Sequence, residues 1–184
     1  LFRDGVLFML LSSAPVRLQN LTEIAIGTHL ILSPDGPGYL TFDHTKAGHG
    51  AELPLWPALR AVLETYIDVY RPVLLAGHPT DALWIGLQGG EPLGESGVAD
   101  RITEHTEAYL GRSLSSHRFR DAVATTLVIE HPDAPDLASA MLQHRNLTSI
   151  AEYTEQGRTV GAARLLASLS RQAHGDAQRA LRGA

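Results

Sequence analysis

Apolar positions along this chain recur mainly at helical spacing, and the runs are separated by proline, glycine and short polar breaks. The first run predicts a helix over 4–13 that ends near Pro15. A short helix over 18–21 begins at the Pro15-Val16-Arg17 corner. Three short strands follow. Stretches 29–32 and 39–43 flank Ser33-Pro34-Asp35-Gly36-Pro37-Gly38, a strong turn signal, and 51–55 forms the third strand after a turn at Thr45-Lys46-Ala47-Gly48. Lys46 then sits at the tip of a small antiparallel sheet. An amphipathic helix over 56–70 carries Leu59, Leu63, Ile67 and Tyr70 near one face, with Pro57 in its first turn and Pro72 ending it. A short apolar patch at 82–87 lies between loops rich in glycine and proline.

The second half continues as helices. One runs over 98–110 and is followed by Gly111, and 117–129 reads as a buried helix carrying His117 and Arg120. A turn at Pro132, Asp133 and Pro135 leads to a helix over 136–143 that stops at His144. Residues 147–154 form a short helix holding Tyr153, and 160–181 is helix-like with Leu165, Leu166 and Leu169 as an apolar stripe. The fold class is α+β, mainly α, with one small three-stranded antiparallel sheet and no domain boundary inside 1–184.

Composition narrows the chemistry. With no cysteine, disulfides and thiolate metal sites are excluded. The apolar run 6–11 is too short to span a bilayer and lacks the basic leader of a signal peptide, so no membrane partner is expected. The net charge of −5 argues mildly against a nucleic-acid binder, but one cationic cleft can sit on an acidic body. Lysine usage says more. Of 15 basic residues only Lys46 is lysine. A genome-wide preference for arginine codons explains the excess, and a lysine kept against it marks a place where arginine fails. An ammonium can donate a proton, whereas a guanidinium essentially cannot.

The candidate chemistry is a set of groups in order. Ser116-His117-Arg118-Phe119-Arg120-Asp121 is followed by Met141-Leu142-Gln143-His144 and then by Ala151-Glu152-Tyr153, with Arg17 and Lys46 upstream. His-x-x-Arg alone occurs everywhere; six groups at compatible spacing do not. This order resembles the tyrosine recombinase (phage integrase) family over nearly the whole chain. The resemblance implies a recombinase catalytic domain that cleaves and rejoins DNA through a covalent 3′-phosphotyrosyl intermediate, with no cofactor and no metal. Tyr153 would be the nucleophile, Arg17 and Arg120 the phosphate clamp, Lys46 the general acid, and His117 and His144 phosphate-binding and proton-handling groups. Arg118, Arg145 and Arg158, close by in sequence, are candidate DNA contacts. The implied partner is double-stranded DNA, with a homotetramer on synapsed DNA and a monomer as the isolated fragment, acting in the cytoplasm of a bacterium or on behalf of a phage.

The chain begins at Leu1 rather than methionine. With the resemblance, this is read as a catalytic domain of a longer protein, 157–184 being its tail helix and the N-terminal core-binding domain being absent. The resembling family often passes that tail to a neighbouring protomer; the leucine stripe suits either that or packing on its own domain. Four positions depart from the family's habit: Pro15 and Gln143 stand where glycine is usual, Asn20 where an acidic residue is common, and Asp121 where histidine is frequent. Glu23 is a candidate to replace the missing carboxylate beside Arg17. Strand relaxation of the type IB topoisomerase kind uses similar chemistry and is the nearest enzymatic alternative; a DNA-binding module without catalysis is the other. Asp43, His44 and His49 lie across a turn with no orienting partner and read as exposed groups rather than a metal site. Ser12-Ser13 and Ser115-Ser116 lack a nucleophile elbow, and Gly89-Gly90 lacks the features of a phosphate loop.

Overall fold

The computed structural model describes residues 2–14, 16–34, 36–42, 50–87, 89–131 and 159. Lys46, His144, Arg145, Tyr153 and Arg158, the expected helices over 136–143 and 147–154 and the tail stripe lie outside the described residues.

Helix α1 spans Phe2–Ser13, two residues longer at its start than its apolar run predicts. It buries Val6, Leu7, Leu10 and Leu11, one helical face repeated every three to four residues. Helix α2, Leu18–Thr22, follows at once. The sheet contains β1 (Leu30–Ile31), β2 (Tyr39–Phe42) and β3 (Ala51–Pro54), antiparallel and in the order β1-β2-β3. Its register pairs Leu30 with Leu40, and Leu40 with Leu53. Leu40 and Phe42 face the core while Thr41 between them does not, the alternation a half-buried strand requires. Because Phe42 pairs with Ala51, Lys46 falls in the connection that joins β2 to β3.

Helix α3, Pro57–Thr65, starts on its proline as expected. It does not stop at Pro72. The helical path widens into a π-helical turn over Tyr66–Tyr70 and continues as α4, Arg71–Leu75. Pro72 has no N–H to donate, and its ring crowds the carbonyl four residues back. The wider turn absorbs this: the Arg71 N–H bonds to the Tyr66 carbonyl, five residues back. The widening also changes which residue faces inward. Leu59, Leu63 and Tyr66 are fully buried, Ile67 packs at the core's edge, and Tyr70 is turned outward, where it stacks on Phe2 with ring centres 4.1 Å apart.

The apolar patch at 82–87 supplies Leu83, Trp84 and Ile85, all buried. It is held by single bridges, Ala25 to Ala82 and Ile85 to Pro92, and by the Trp84 indole N–H donating to the Leu21 carbonyl at 2.7 Å. Helix α5 spans Glu95–Leu110 and ends at Gly111, whose φ of +68° closes the last turn. Helix α6 spans Ser116–Glu130. It buries Arg120, Ala124 and Val128 on one line, so it is half-buried rather than fully buried as its sequence predicts. The core joins α1, α2, the sheet, α3 and α5, with α1 packed on α6 and α2 on α5.

Candidate functional site

Arg17 is the residue at which α2 begins. Its backbone is extended, with φ −67° and ψ 153°, and its carbonyl accepts the Leu21 N–H at 2.8 Å. Val16 before it and Leu21 after it are buried, so both sides of the corner are anchored in the core. The Arg17 side chain itself is half-buried. The carboxylate proposed as its orienting partner is engaged elsewhere: Glu23 Oε1 accepts the Gln19 amide at 3.0 Å, and among the described residues it forms no ion pair with Arg17. That substitution is therefore not made. The i,i+4 spacing of Gln19 and Glu23 on one short helix captures the carboxylate locally.

His117 and Arg120 both stand in the N-terminal part of α6, where backbone N–H groups point outward and the helix dipole favours negative charge. Their environments differ. Arg120 is 6% exposed and lies on the buried line with Ala124 and Val128, whereas the His117 side chain is 70% exposed. His117 Nε2 lies 3.4 Å from Asp121 Oδ1, and Arg118 Nη1 lies 3.5 Å from Asp121 Oδ2. Phe119, between these groups, turns toward α1 and meets Phe8 at 5.6 Å between ring centres. The described residues thus place His117, Arg118 and Arg120 on one helix end and Arg17 at the start of another helix. The Asp121 contact was legible in principle, since His117 and Asp121 are four residues apart on a predicted helix.

A second polar cluster was missed by sequence reasoning. Arg3 and Asp4 are both buried on α1, and Arg3 Nε donates to Asp4 Oδ1 at 2.8 Å. Arg3 Nη1 donates to the Ile85 carbonyl at 2.6 Å. Asp4 Oδ2 meets His105 Nε2, on α5, at 3.0 Å. Burial alone would raise the Asp4 carboxyl, but the His105 hydrogen bond and the hydrogen bond and charge of Arg3 outweigh it and hold Asp4 below its usual value. The cluster clasps α1, α5 and the Trp84–Ile85 segment together. His105 borders an open cleft of about 520 Å³ shared with Phe8, Tyr109, Leu110 and Phe119. The only sequence signal was a charged pair set at the head of an apolar run.

No family model matches the chain. Curated relatives do. It is 26% identical over 160 residues to the tyrosine recombinase XerD of Staphylococcus saprophyticus, covering 86% of this chain and 52% of the relative. It is 27% identical over 160 residues to XerD of Staphylococcus haemolyticus, with the same coverage. The chain spans about half the length of these relatives. Among solved structures, a XerH site-specific recombinase bound to a palindromic difH substrate, in a post-cleavage complex, superposes with a TM-score of 0.69 at 17% identity, covering 92% of this chain and 45% of that one. The XerA recombinase superposes with a TM-score of 0.64 at 15% identity over 83% of this chain and 51% of that one. The fold is that of the tyrosine recombinases. The chain is thus similar in sequence to the XerD tyrosine recombinases over about half their length and shares the fold of the XerH and XerA recombinases.

Proposed function

We propose that this chain supplies the catalytic part of a site-specific DNA recombinase that breaks and rejoins DNA through a covalent phosphotyrosyl link. The observation that carries the reading is the joint one: His117 and Arg120 stand at the N-terminal end of one helix, within a recombinase fold, in a chain whose remaining groups follow in the order Arg17, Lys46, His117, Arg120, His144, Tyr153. A helix N-terminus bearing a guanidinium is a natural seat for a phosphodiester.

The chemistry assigned to each group follows from charge and proton balance. The Tyr153 oxygen attacks phosphorus as its proton leaves, and the phosphorus–O5′ bond breaks as Lys46 protonates the departing oxygen. Negative charge accumulates on the non-bridging oxygens meanwhile. Arg17 and Arg120 neutralise it with planar forks that match phosphate geometry, and His117 and His144 add hydrogen bonds. The phosphotyrosyl bond stores the energy of the broken link, so the reverse attack by a 5′-hydroxyl rejoins the strand. Double-stranded DNA is the partner, contacted also by Arg118, Arg145 and Arg158, and exchange between two duplexes calls for a homotetramer acting on chromosomal DNA in the cytoplasm.

The test uses nicked duplexes taken from the ends of the element that encodes the protein. A nick beside the scissile bond releases a short fragment and traps the covalent complex. A DNA–protein adduct that survives denaturation, and that Tyr153→Phe abolishes, is the expected result. DNA binding without any adduct would replace this reading with that of a binding module.

A further inference from the structure

We infer that Asp121 is a positioning residue for His117, resting on the recombinase reading above: its carboxylate holds the ring at Nε2 and leaves Nδ1 available to exchange a proton with the attacking tyrosine. Nε2 stands 3.4 Å from Asp121 Oδ1, and among the described residues Asp121 is the acidic group within ion-pair reach of His117. The other carboxylate oxygen faces Arg118 at 3.5 Å. The Asp121 side chain is 21% exposed, against 70% for both His117 and Arg118. The carboxylate is therefore the less exposed member of the contact and the ring the more exposed one.

This position is also where the chain leaves the family's pattern, with aspartate in place of the frequent histidine. A carboxylate there does something a second imidazole does not. It accepts the Nε2–H of the neutral ring, which fixes the tautomer and makes Nδ1 an acceptor, and it stabilises the imidazolium once Nδ1 gains a proton. In strand cleavage the Tyr153 O–H proton passes to Nδ1, the oxygen–phosphorus bond forms, and the phosphorus–O5′ bond breaks with Lys46 supplying the leaving proton. In rejoining, the 5′-hydroxyl attacks phosphorus and gives its proton back to Lys46, the phosphorus–tyrosine bond breaks, and the Nδ1 proton returns to the tyrosine oxygen. A contact of 3.4 Å is long for a hydrogen bond, and such contacts tighten when substrate arrives. Among the described residues, the charged groups joined in this contact are Asp121 and Arg118 on the same helix, and the side chain of α6 that stacks on α1 is the apolar Phe119, on Phe8.

The experiment is a double-mutant cycle in the full chain, read as single-turnover adduct formation on the nicked duplex. Asp121→Ala should slow adduct formation about tenfold when His117 is present, a fraction of what general acid–base catalysis supplies, and should change nothing further in a His117→Gln background. Equal losses in both backgrounds would mean that Asp121 acts through the helix or through Arg118, and would overturn the inference. A second measurement does not need turnover. Long-range proton–nitrogen spectra of the neutral His117 ring should show the Nε2–H tautomer alone in the parent and a mixture in Asp121→Ala; identical spectra overturn the inference as well. If the parent forms no adduct while the spectra differ as expected, the recombinase reading falls and the anchoring of the ring by Asp121 stands.

Discussion

Asp4 shows how a single buried charge can be kept ionised. Its carboxylate is nearly inaccessible, yet it is met by His105 on one oxygen and Arg3 on the other. Removing the charge while keeping the shape, as in Asp4→Asn, leaves the Arg3 guanidinium buried without its counter-charge. The expected cost is about 3–5 kcal/mol, the usual penalty for breaking a buried pair from one side. The pH dependence has a definite sign. Asp4 is held below its ordinary value in the folded protein, so the unfolded chain takes up its proton first. Its contribution is complete above roughly pH 4, where the unfolded carboxyl is ionised, and is lost as pH falls through the folded value. Urea unfolding at pH 7 and at pH 3 should therefore show a smaller difference for Asp4→Asn than for the parent. An equally steep acid limb in the variant would assign acid sensitivity to other carboxylates.

Two glycines separate helix propensity from tertiary constraint at the level of elements. Gly90 has φ +71°, and a Cβ there would lie 2.3 Å from the Leu75 carbonyl oxygen and 3.1 Å from His78 Cβ. The loop that follows the 82–87 patch is thus pressed against the end of α4, and Gly90→Ala should cost about 2–4 kcal/mol through strain and displacement of backbone. Gly5 sits inside α1 with nothing within 4 Å of its would-be Cβ, so Gly5→Ala should stabilise by about 0.5–1 kcal/mol. Thermal unfolding of both variants checks the pair, and shifts in the same direction would refute it. Such contrasts mark what a sequence reveals. Strand pairing, the start of α3 at Pro57 and the end of α5 at Gly111 follow from residues next to one another, and all were legible. The continuation past Pro72 was not, because a π turn answers to packing of Tyr66 as well as to the local rule against proline. The Asp4–His105 clasp joins residues 101 apart and obeys no periodicity. At the site, helix placement of His117 and Arg120 was legible, but the exposure of His117 was not, since a helix starting its first turn beyond a loop buries only what its neighbours cover.

For the whole molecule, a net charge of −5 must be reconciled with the polyanionic partner that the proposed function requires. The reconciliation proposed is a local one: Arg17, Lys46, Arg118, Arg120, Arg145 and Arg158 gathered at DNA while the acidic balance lies elsewhere. Each phosphate neutralised releases condensed counterions, so affinity should fall steeply with salt. About six such contacts imply roughly a thousandfold loss between 50 and 200 mM salt. The acidic body adds nothing to attract DNA once screening is strong, so binding should be weak at physiological ionic strength. Arg118 is exposed and tied only loosely to Asp121, so Arg118→Ala should weaken binding to all sequences alike and reduce the salt slope by about 1. Arg60 provides the comparison. Its guanidinium is committed to Glu64 and to the Gly36 and Ser33 carbonyls, so Arg60→Ala should leave the slope unchanged. Fluorescence anisotropy across a salt series reads both. Tight binding that ignores salt would show that apolar or base contacts carry the affinity, and the cationic cleft would have to be abandoned even if the covalent adduct forms.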